Sequence, residues 1–297
     1  MVLSRTGFEK VISTLKGISI PAFIVAMILY IFAQFISSLR WKLFLPRTLG
    51  IRKLFSLYLI GSFFNTLLPG IIGGDAVKGF YLYQSTGKGG LTLASIFMDR
   101  YIGFVVLIAI CALAFPFGFS FFQGSRLAWL LPLIILSFIT ASFLIFGLRL
   151  GKRINMISKF YDYFHAYRNQ KDIIVKTVLL SVLVQFSGIL SIYVLTLGFK
   201  QYVPFTALLI FVPLIVMFTT IPISISGLGV REGAYVVLFG LVDIKPEVAT
   251  AISLSWFLAI ASSSLLGLIE YLRYKKEPDK ELNFLKLTIG DSRNIKK

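Results

Sequence analysis

Long apolar runs separated by basic segments dominate the chain. Crossing about 30 Å of hydrocarbon takes about 20 helical residues. Five runs are long enough, and they cover residues 18–39, 91–115, 127–148, 173–199 and 248–272. The pattern predicts an all-α integral membrane protein, a polytopic helical bundle. Composition agrees, because 57% of the 297 residues are hydrophobic and only 14% are charged, whereas soluble domains are far more polar.

Two further apolar stretches, 54–83 and 205–241, are interrupted near their middles by proline and glycine. The first break has the sequence LLPGIIGGD at 67–75, and the second has IPISISGLG at 221–229. Proline removes a backbone hydrogen bond and glycine disfavours the helix, so neither stretch is one continuous helix. Irregular backbone at membrane depth is tolerated only where protein or a water-filled cavity satisfies its polar groups. We therefore expect each stretch to form a re-entrant hairpin.

The basic segments predict the orientation of these elements. Five, six and eight Lys or Arg residues lie in segments 40–53, 149–172 and 273–297. The positive-inside rule places all three segments, and with them the C-terminus, on the cytoplasmic side of the cell membrane. The outside connections are expected around Arg126, Lys200 and Lys245. By parity, the first hairpin enters from the cytoplasmic face and the second from the opposite face, with the N-terminus outside.

An internal repeat accompanies this topology. A shift of 153 positions lays Thr66 on Thr219, Pro69 on Pro222, Gly74 on Gly227 and Lys78 on Arg231. The same shift moves the run 18–39 to 171–192 and the run 91–115 to 244–268, where spans are also predicted. Chance coincidence among Gly, Pro and Thr is the alternative.

We interpret the pattern as two inverted repeats, 18–115 and 173–272, joined by the span 127–148. Together they form one membrane domain, 1–272, followed by a basic tail, 273–297. Inverted repeats with broken helices at corresponding positions are typical of secondary transporters, whose substrate sites lie between the repeats near the membrane midplane.

Ionisable residues inside the apolar stretches are functional candidates, because each costs at least about 2.5 kcal/mol on insertion scales. Those away from the ends of the stretches are Asp75, Lys78, Asp99, Arg100, Arg231 and Glu232. Lys78 and Arg231 each follow a glycine-rich break, where freed backbone N–H groups and a helix N-terminus favour a phosphate-bearing headgroup. Alternatively, both bases are interfacial or pair with Asp75 and Glu232. Arg100 is expected to face the bundle interior, and Asp99 to pair with another base.

Other polar residues suggest no chemistry. Asn65 and Gln185 either line a polar path or form hydrogen bonds between helices. Cys111 is the single cysteine, which excludes an intramolecular disulfide. His165, the single histidine, is expected to be solvated or interfacial. Catalytic, P-loop and dinucleotide motifs are absent from the sequence, so we expect no enzyme activity, cofactor or metal.

The net charge of +17 would indicate a nucleic-acid partner in a soluble protein. Here the bases lie at the ends of apolar runs, where membrane topology and anionic lipid headgroups account for them. We therefore expect no nucleic-acid partner.

Three motifs resemble those of the lysylphosphatidylglycerol synthase membrane-domain family, which is flippase-like and of UPF0104 type. They are N-x3-PG-x2-GGD-x2-K over 65–78, the pair Asp99-Arg100, and P-x-S-x-S-G-x-G-x-R-E-G over 222–233; Arg40-Trp41 also resembles the family. The resemblance implies a membrane domain that moves or binds lipids with charged headgroups. The candidate headgroup site then comprises Asn65, Gly73, Gly74, Asp75, Lys78, Asp99, Arg100, Gly227, Gly229, Arg231 and Glu232.

The function expected from the sequence is lipid translocation, with the headgroup phosphate held between the hairpins by Lys78, Arg231 and Arg100. The partner is a membrane phospholipid or glycolipid. One alternative is a non-catalytic subunit that presents lipid to a separately encoded aminoacyl- or glycosyl-transferase. Another is a transporter of small anionic solutes. The aminoacyl-transfer domain of longer relatives is missing, so no lipid synthesis is expected of this chain.

Overall fold

The computed structural model describes residues 8–68, 72–146, 170–220 and 229–276. Within these ranges the chain forms ten α-helices and two short 3-10 turns, and no strand. In chain order the helices are α1 Phe8–Lys16, α2 Ile20–Lys42, α3 Ile51–Leu67, α4 Ile72–Thr86, α5 Gly89–Gly118, α6 Leu130–Phe146, α7 Lys171–Gly198, α8 Phe205–Thr220, α9 Val230–Gly240 and α10 Pro246–Lys276. The predicted all-α class is confirmed.

Five of these helices, α2, α5, α6, α7 and α10, are long and apolar enough to cross a membrane. They coincide with the five apolar runs of the sequence, and the predicted spans are confirmed apart from small differences at their ends. The span α6 buries little of its surface, since Leu133, Leu136, Ile139 and Phe143 are all exposed. Such a surface suits contact with lipid tails. The last two residues of the predicted span 127–148 lie outside the described residues.

One boundary difference matters for the site. The sequence placed Arg40 at the start of a cytoplasmic loop, but α2 continues to Lys42, and Arg40 is only 5% exposed. That prediction is wrong because Arg40 forms an ion pair with Asp99 of α5, at 2.8 Å. A base can enter a helical bundle when a carboxylate compensates its charge.

The two broken stretches each form a pair of short helices. The first pair, α3 and α4, has 17 and 15 residues, and the second pair, α8 and α9, has 16 and 11. At about 1.5 Å per residue even α3 measures only about 25 Å, less than the roughly 30 Å of hydrocarbon. Neither pair contains a full-length span, as expected of hairpins. The breaks at 69–71 and 221–228 lie outside the described residues.

Two hydrophobic clusters mark opposite ends of the bundle. One, here the Trp41 end, joins the end of α2 to the start of α3 and the end of α4, through Trp41, Leu54 and Leu82. The other, here the Phe122 end, joins the start of α8 to the end of α9, through Ala207, Phe239 and Phe122. The first hairpin therefore enters the bundle at the Trp41 end and the second at the Phe122 end.

The corresponding helices of the two halves follow the sequence repeat. Moved 153 positions along the chain, α3 would run from 204 to 220, and α8 is Phe205–Thr220. The matching spans α2 and α7 pack antiparallel, because the N–H of Ser19 bonds the carbonyl of Gly198 while Phe44 and Ile173, near their other ends, belong to one hydrophobic cluster. The inverted symmetry of whole repeats in a membrane stays a prediction.

Candidate functional site

A cavity of about 370 Å³ lies among α2, α3, α4, α5, α7, α8 and α10. The first hairpin contributes Asn65 and Asp75 to its wall, and the second contributes Val216 and Thr220 from the end of α8. Its charged lining residues are Arg40, Asp75, Lys78, Asp99 and Arg100. Among the described lining residues three bases face two carboxylates, which gives a formal charge of +1.

Asp99 of α5 lies at the centre of the charged residues and is 1% exposed. One carboxylate oxygen accepts a hydrogen bond from Nε of Arg40 at 2.8 Å. The other accepts a hydrogen bond from the hydroxyl of Tyr58 and lies 3.9 Å from Nζ of Lys78. Nη1 of Arg40 also donates to Oγ of Ser181 on α7, at 2.9 Å. The prediction that Asp99 pairs with another base is confirmed. The ion pairs and hydrogen bonds of Asp99 and Arg40 together connect α2, α3, α4, α5 and α7.

Lys78 of α4 is 2% exposed. Its Nζ lies 3.3 Å from Asp75 and over two aromatic rings, 4.1 Å from the centroid of Tyr58 and 4.5 Å from that of Trp41. The faces of aromatic rings carry negative electrostatic potential and attract ammonium groups. Carboxylates and rings together therefore hold a charged lysine in the bundle.

Arg100 and Asp75 form a bidentate pair at the cavity wall. Nε and Nη2 of Arg100 donate to the two oxygens of Asp75 at 2.6 and 3.0 Å. Asp75 lies in the first turn of α4, where the helix dipole favours a carboxylate. The Arg100 side chain is 39% exposed, against 6% for Arg40 and 3% for Lys78. It is thus the most accessible base of the cavity.

The glycine-rich motif of the first hairpin brings its two helices into contact. Oδ1 of Asn65 on α3 accepts a hydrogen bond from the backbone N–H of Gly74 on α4, at 2.8 Å, so Asn65 caps the start of α4 across the hairpin. A Cβ on Gly74 would overlap the backbone oxygen of Gly61 and lie 2.6 Å from Oδ1 of Asn65. Gly73 is packed on the side chain of Leu68 in a similar way.

Gly74→Ala is expected to destabilise the protein by about 1–3 kcal/mol, the usual cost of overpacking. The added methyl group would have to push α4 away from α3 and break the Asn65 cap. Gly188→Ala is the matched control, because nothing lies within 4 Å of its Cβ position in the middle of α7, and alanine favours helix. Thermal unfolding of both variants in detergent measures the difference. Equal melting temperatures would contradict this packing argument.

Arg231 and Glu232 form a separate cluster at the start of α9. Nη2 of Arg231 lies 2.7 Å from Oε1 of Glu232, and both side chains bond the hydroxyl of Ser253 on α10, at 3.1 and 3.2 Å. Oε2 of Glu232 accepts a hydrogen bond from the N–H of Gly229 at 2.5 Å. Gly229 has a φ of +88°, which favours glycine. Gly227 lies outside the described residues.

The structure therefore brings together only some of the predicted site residues. Asn65, Asp75, Lys78, Asp99 and Arg100 line the cavity, while Arg231 and Glu232 are not among its lining residues. Lys78 and Arg231 lie in different ion pairs, with Asp75 and Glu232 respectively, which is the alternative that the sequence left open.

Sequence reasoning did not place Arg40 and Tyr58 in the site. Arg40 was visible only as part of the Arg40-Trp41 pair in the family resemblance, and Tyr58 carried no signal because tyrosine is common where membrane helices meet the interface. Gln185 lines the cavity and also donates to the backbone oxygen of Gly103 at 3.1 Å. Gln185 thus both lines the cavity and forms a hydrogen bond between helices, the two roles that the sequence left as alternatives.

Comparison with known proteins identifies the family of the chain. The profile of the family described as lysylphosphatidylglycerol synthase TM region matches residues 1–267. This chain belongs to that family. The resemblance read from the sequence motifs is confirmed, and the protein is a multi-pass integral membrane protein.

Two membrane proteins of similar length resemble this member of the lysylphosphatidylglycerol synthase TM region family. A UPF0104 membrane protein of Methanocaldococcus jannaschii is 24% identical, and the aligned region covers 94% of this chain and 93% of that protein. A UPF0104 membrane protein of Pyrococcus horikoshii is 22% identical over 93% of this chain and 94% of its own. No solved structure matches the chain significantly.

Proposed function

We propose that this protein binds a lipid with an anionic headgroup in the central cavity and moves it across the cytoplasmic membrane. The observation that carries the proposal is the composition of the cavity wall, where Arg40, Lys78 and Arg100 outnumber Asp75 and Asp99. An excess positive charge away from water is costly. A phosphodiester with one negative charge would compensate it.

Arg100 is the residue best suited to receive the phosphate. A guanidinium group has five N–H donors, and Asp75 engages two of those of Arg100. The remaining donors and the exposure of Arg100 leave it able to bind a second oxyanion. Planar guanidinium groups bind phosphate by such paired, charge-assisted hydrogen bonds. Apolar residues of the same wall, among them Phe104, Leu107 and Ile260, would contact the glycerol and the first carbons of the lipid tails.

The two hairpins give a route for alternating access. They enter from opposite ends of the bundle, and the cavity lies between the second half of α3 and the end of α8. In transporters with this layout, one repeat rocks against the other around a central site. The proposal requires binding and movement only, and it assigns no bond-making step to the chain.

A cavity-filling variant tests the proposal. Gly188 lines the cavity and has nothing within 4 Å of its Cβ position, so Gly188→Trp is expected to occupy the space and abolish headgroup binding there. Gly240→Trp is the control, because Gly240 also has an open Cβ position but is not in the cavity wall. Native mass spectrometry with added dioctanoyl phosphatidylglycerol would measure binding. Unchanged binding in Gly188→Trp would refute the cavity as the lipid site.

We also propose that the Trp41 end and the C-terminus face the cytoplasm. Arg52 near the Trp41 end and Lys245 near the Phe122 end are both exposed. Cys111, the chain's own cysteine, is fully buried, so it should add little background. In intact cells, Lys245→Cys is expected to react with an impermeant thiol reagent, while Arg52→Cys stays protected until the membrane is permeabilised. The reverse labelling pattern would overturn this orientation.

A further inference from the structure

A second cavity, of about 960 Å³, lies at the Trp41 end of the bundle. Its wall is formed by the end of α2, the connection that follows it, the start of α5 and the first half of α7. Three of the lining residues are bases, Lys42, Arg47 and Lys176, and none of the described residues that line it is a carboxylate. Most of the other lining residues are apolar. We call this space the Lys176 pocket.

We propose that the Lys176 pocket binds an anionic phospholipid of the adjoining leaflet, at a site separate from the central cavity. None of its three bases forms an ion pair with any described residue. This distinguishes them from the bases of the central cavity, all of which are paired. Basic pockets between transmembrane helices bind the headgroups of anionic lipids, and unpaired bases gain most from a phosphate.

The apolar part of the wall indicates a lipid and not a free anion. Leu179 lines the pocket and is also 60% exposed on the outer surface of α7. Val175 and Leu183 are exposed one turn to either side of it, and residues four apart lie on one face of a helix. This apolar stripe leads from the pocket along the surface that contacts lipid tails. A phospholipid with its phosphate among the bases would place a tail on the stripe.

The position of the pocket connects it to the central cavity. Lys42 follows Arg40 by two residues on α2, and Lys176 lies about one turn before Ser181 on α7, the residue that bonds Nη1 of Arg40. A lipid held by Lys42 and Lys176 would tie together the two helices that position Arg40.

The test compares two charge-matched triple variants. In the pocket variant, Lys42, Arg47 and Lys176 are each changed to Gln. In the control, Arg52, Lys88 and Arg273 are changed to Gln; these residues are also exposed near the Trp41 end but do not line the pocket. Native mass spectrometry counts the dioctanoyl phosphatidylglycerol molecules bound to each, with dioctanoyl phosphatidylcholine as the neutral lipid.

The pocket variant is expected to lose one bound phosphatidylglycerol, with affinity at that site reduced about 100-fold, because each of the three bases contributes roughly a factor of five near an anionic headgroup. The control variant should bind like the parent, and so should phosphatidylcholine in all variants. Equal losses in both triple variants would mean general attraction to a basic surface and would overturn the proposal.

A second variant tests the pocket without changing any charge. It also keeps the test valid if the triple variant fails to fold. Leu180 lines the pocket, and Leu180→Trp fills part of it while leaving all three bases in place. It should also lose the one bound lipid. Full binding in Leu180→Trp would show that the lipid lies elsewhere. Gly188→Trp, which fills the central cavity, should keep the Lys176 pocket occupied, so failure of one site is distinguishable from failure of the other.

Discussion

Replacing Asp99 by asparagine is expected to lower the free energy of unfolding by about 3–5 kcal/mol, the range for removing one partner of a buried ion pair. Asparagine has nearly the same shape, so no cavity contributes to this loss. The loss arises because Arg40 and Lys78 remain buried without the carboxylate that lies 2.8 and 3.9 Å from them. The hydrogen bond from Tyr58 also loses a charged acceptor. Thermal unfolding of the purified protein in detergent would report the change.

Two controls separate this effect from a general effect of mutation. Asp243→Asn makes the same chemical change at an exposed residue whose φ of 60° suits asparagine, and it should leave the melting temperature unchanged. Tyr58→Phe removes a single hydrogen bond and should cost less than Asp99→Asn. If Asp99→Asn has the same melting temperature as Asp243→Asn, the ion pairs of Asp99 do not stabilise the packing of α2, α3, α4, α5 and α7.

The spans were predictable because they depend on local properties. A helix in lipid needs only sufficient length and apolar side chains, and both are visible in any window of the sequence. The ends of the helices were less predictable. A base at the end of an apolar run satisfies the positive-inside rule whether it lies in solvent or in the last helical turn. Arg40 lies in the helix because of Asp99, 59 residues further along the chain, and no local pattern reveals that partner.

The repeat predicted the arrangement of the hairpins better than the arrangement of their charges. The shift that aligns α3 with α8 also aligns Lys78 with Arg231, yet their carboxylates differ in position. Asp75 precedes Lys78 by three residues and lies on the same face of α4, where both reach the cavity. Glu232 follows Arg231 directly and caps α9 at Gly229. Because the two carboxylates are offset by four positions in the repeat, Lys78 lies at the cavity while Arg231 is paired with Glu232 at the start of α9.

The competition between Asp75 and the proposed lipid phosphate for Arg100 gives a second large effect. Arg100→Gln removes the most accessible base and is expected to weaken phosphatidylglycerol binding in the central cavity by about 10- to 150-fold, or about 1.5–3 kcal/mol for a charge-assisted hydrogen bond. Asp75→Asn should act in the opposite direction. It removes the carboxylate that engages Nε and Nη2 of Arg100 and leaves the cavity with a larger positive charge.

The double variant distinguishes a binding role from a structural one. If Arg100 binds lipid in competition with Asp75, Arg100→Gln should reduce lipid affinity more in the Asp75→Asn background than in the parent. In that background no carboxylate competes with the phosphate for the N–H donors of Arg100. Groups in direct contact show such non-additive effects. If the pair only stabilises the fold, both single variants should melt earlier and Asp75→Asn should not bind lipid more tightly. Affinity and melting temperature measured on the same four proteins decide between these roles, because the proposal requires the two single changes to move lipid affinity in opposite directions.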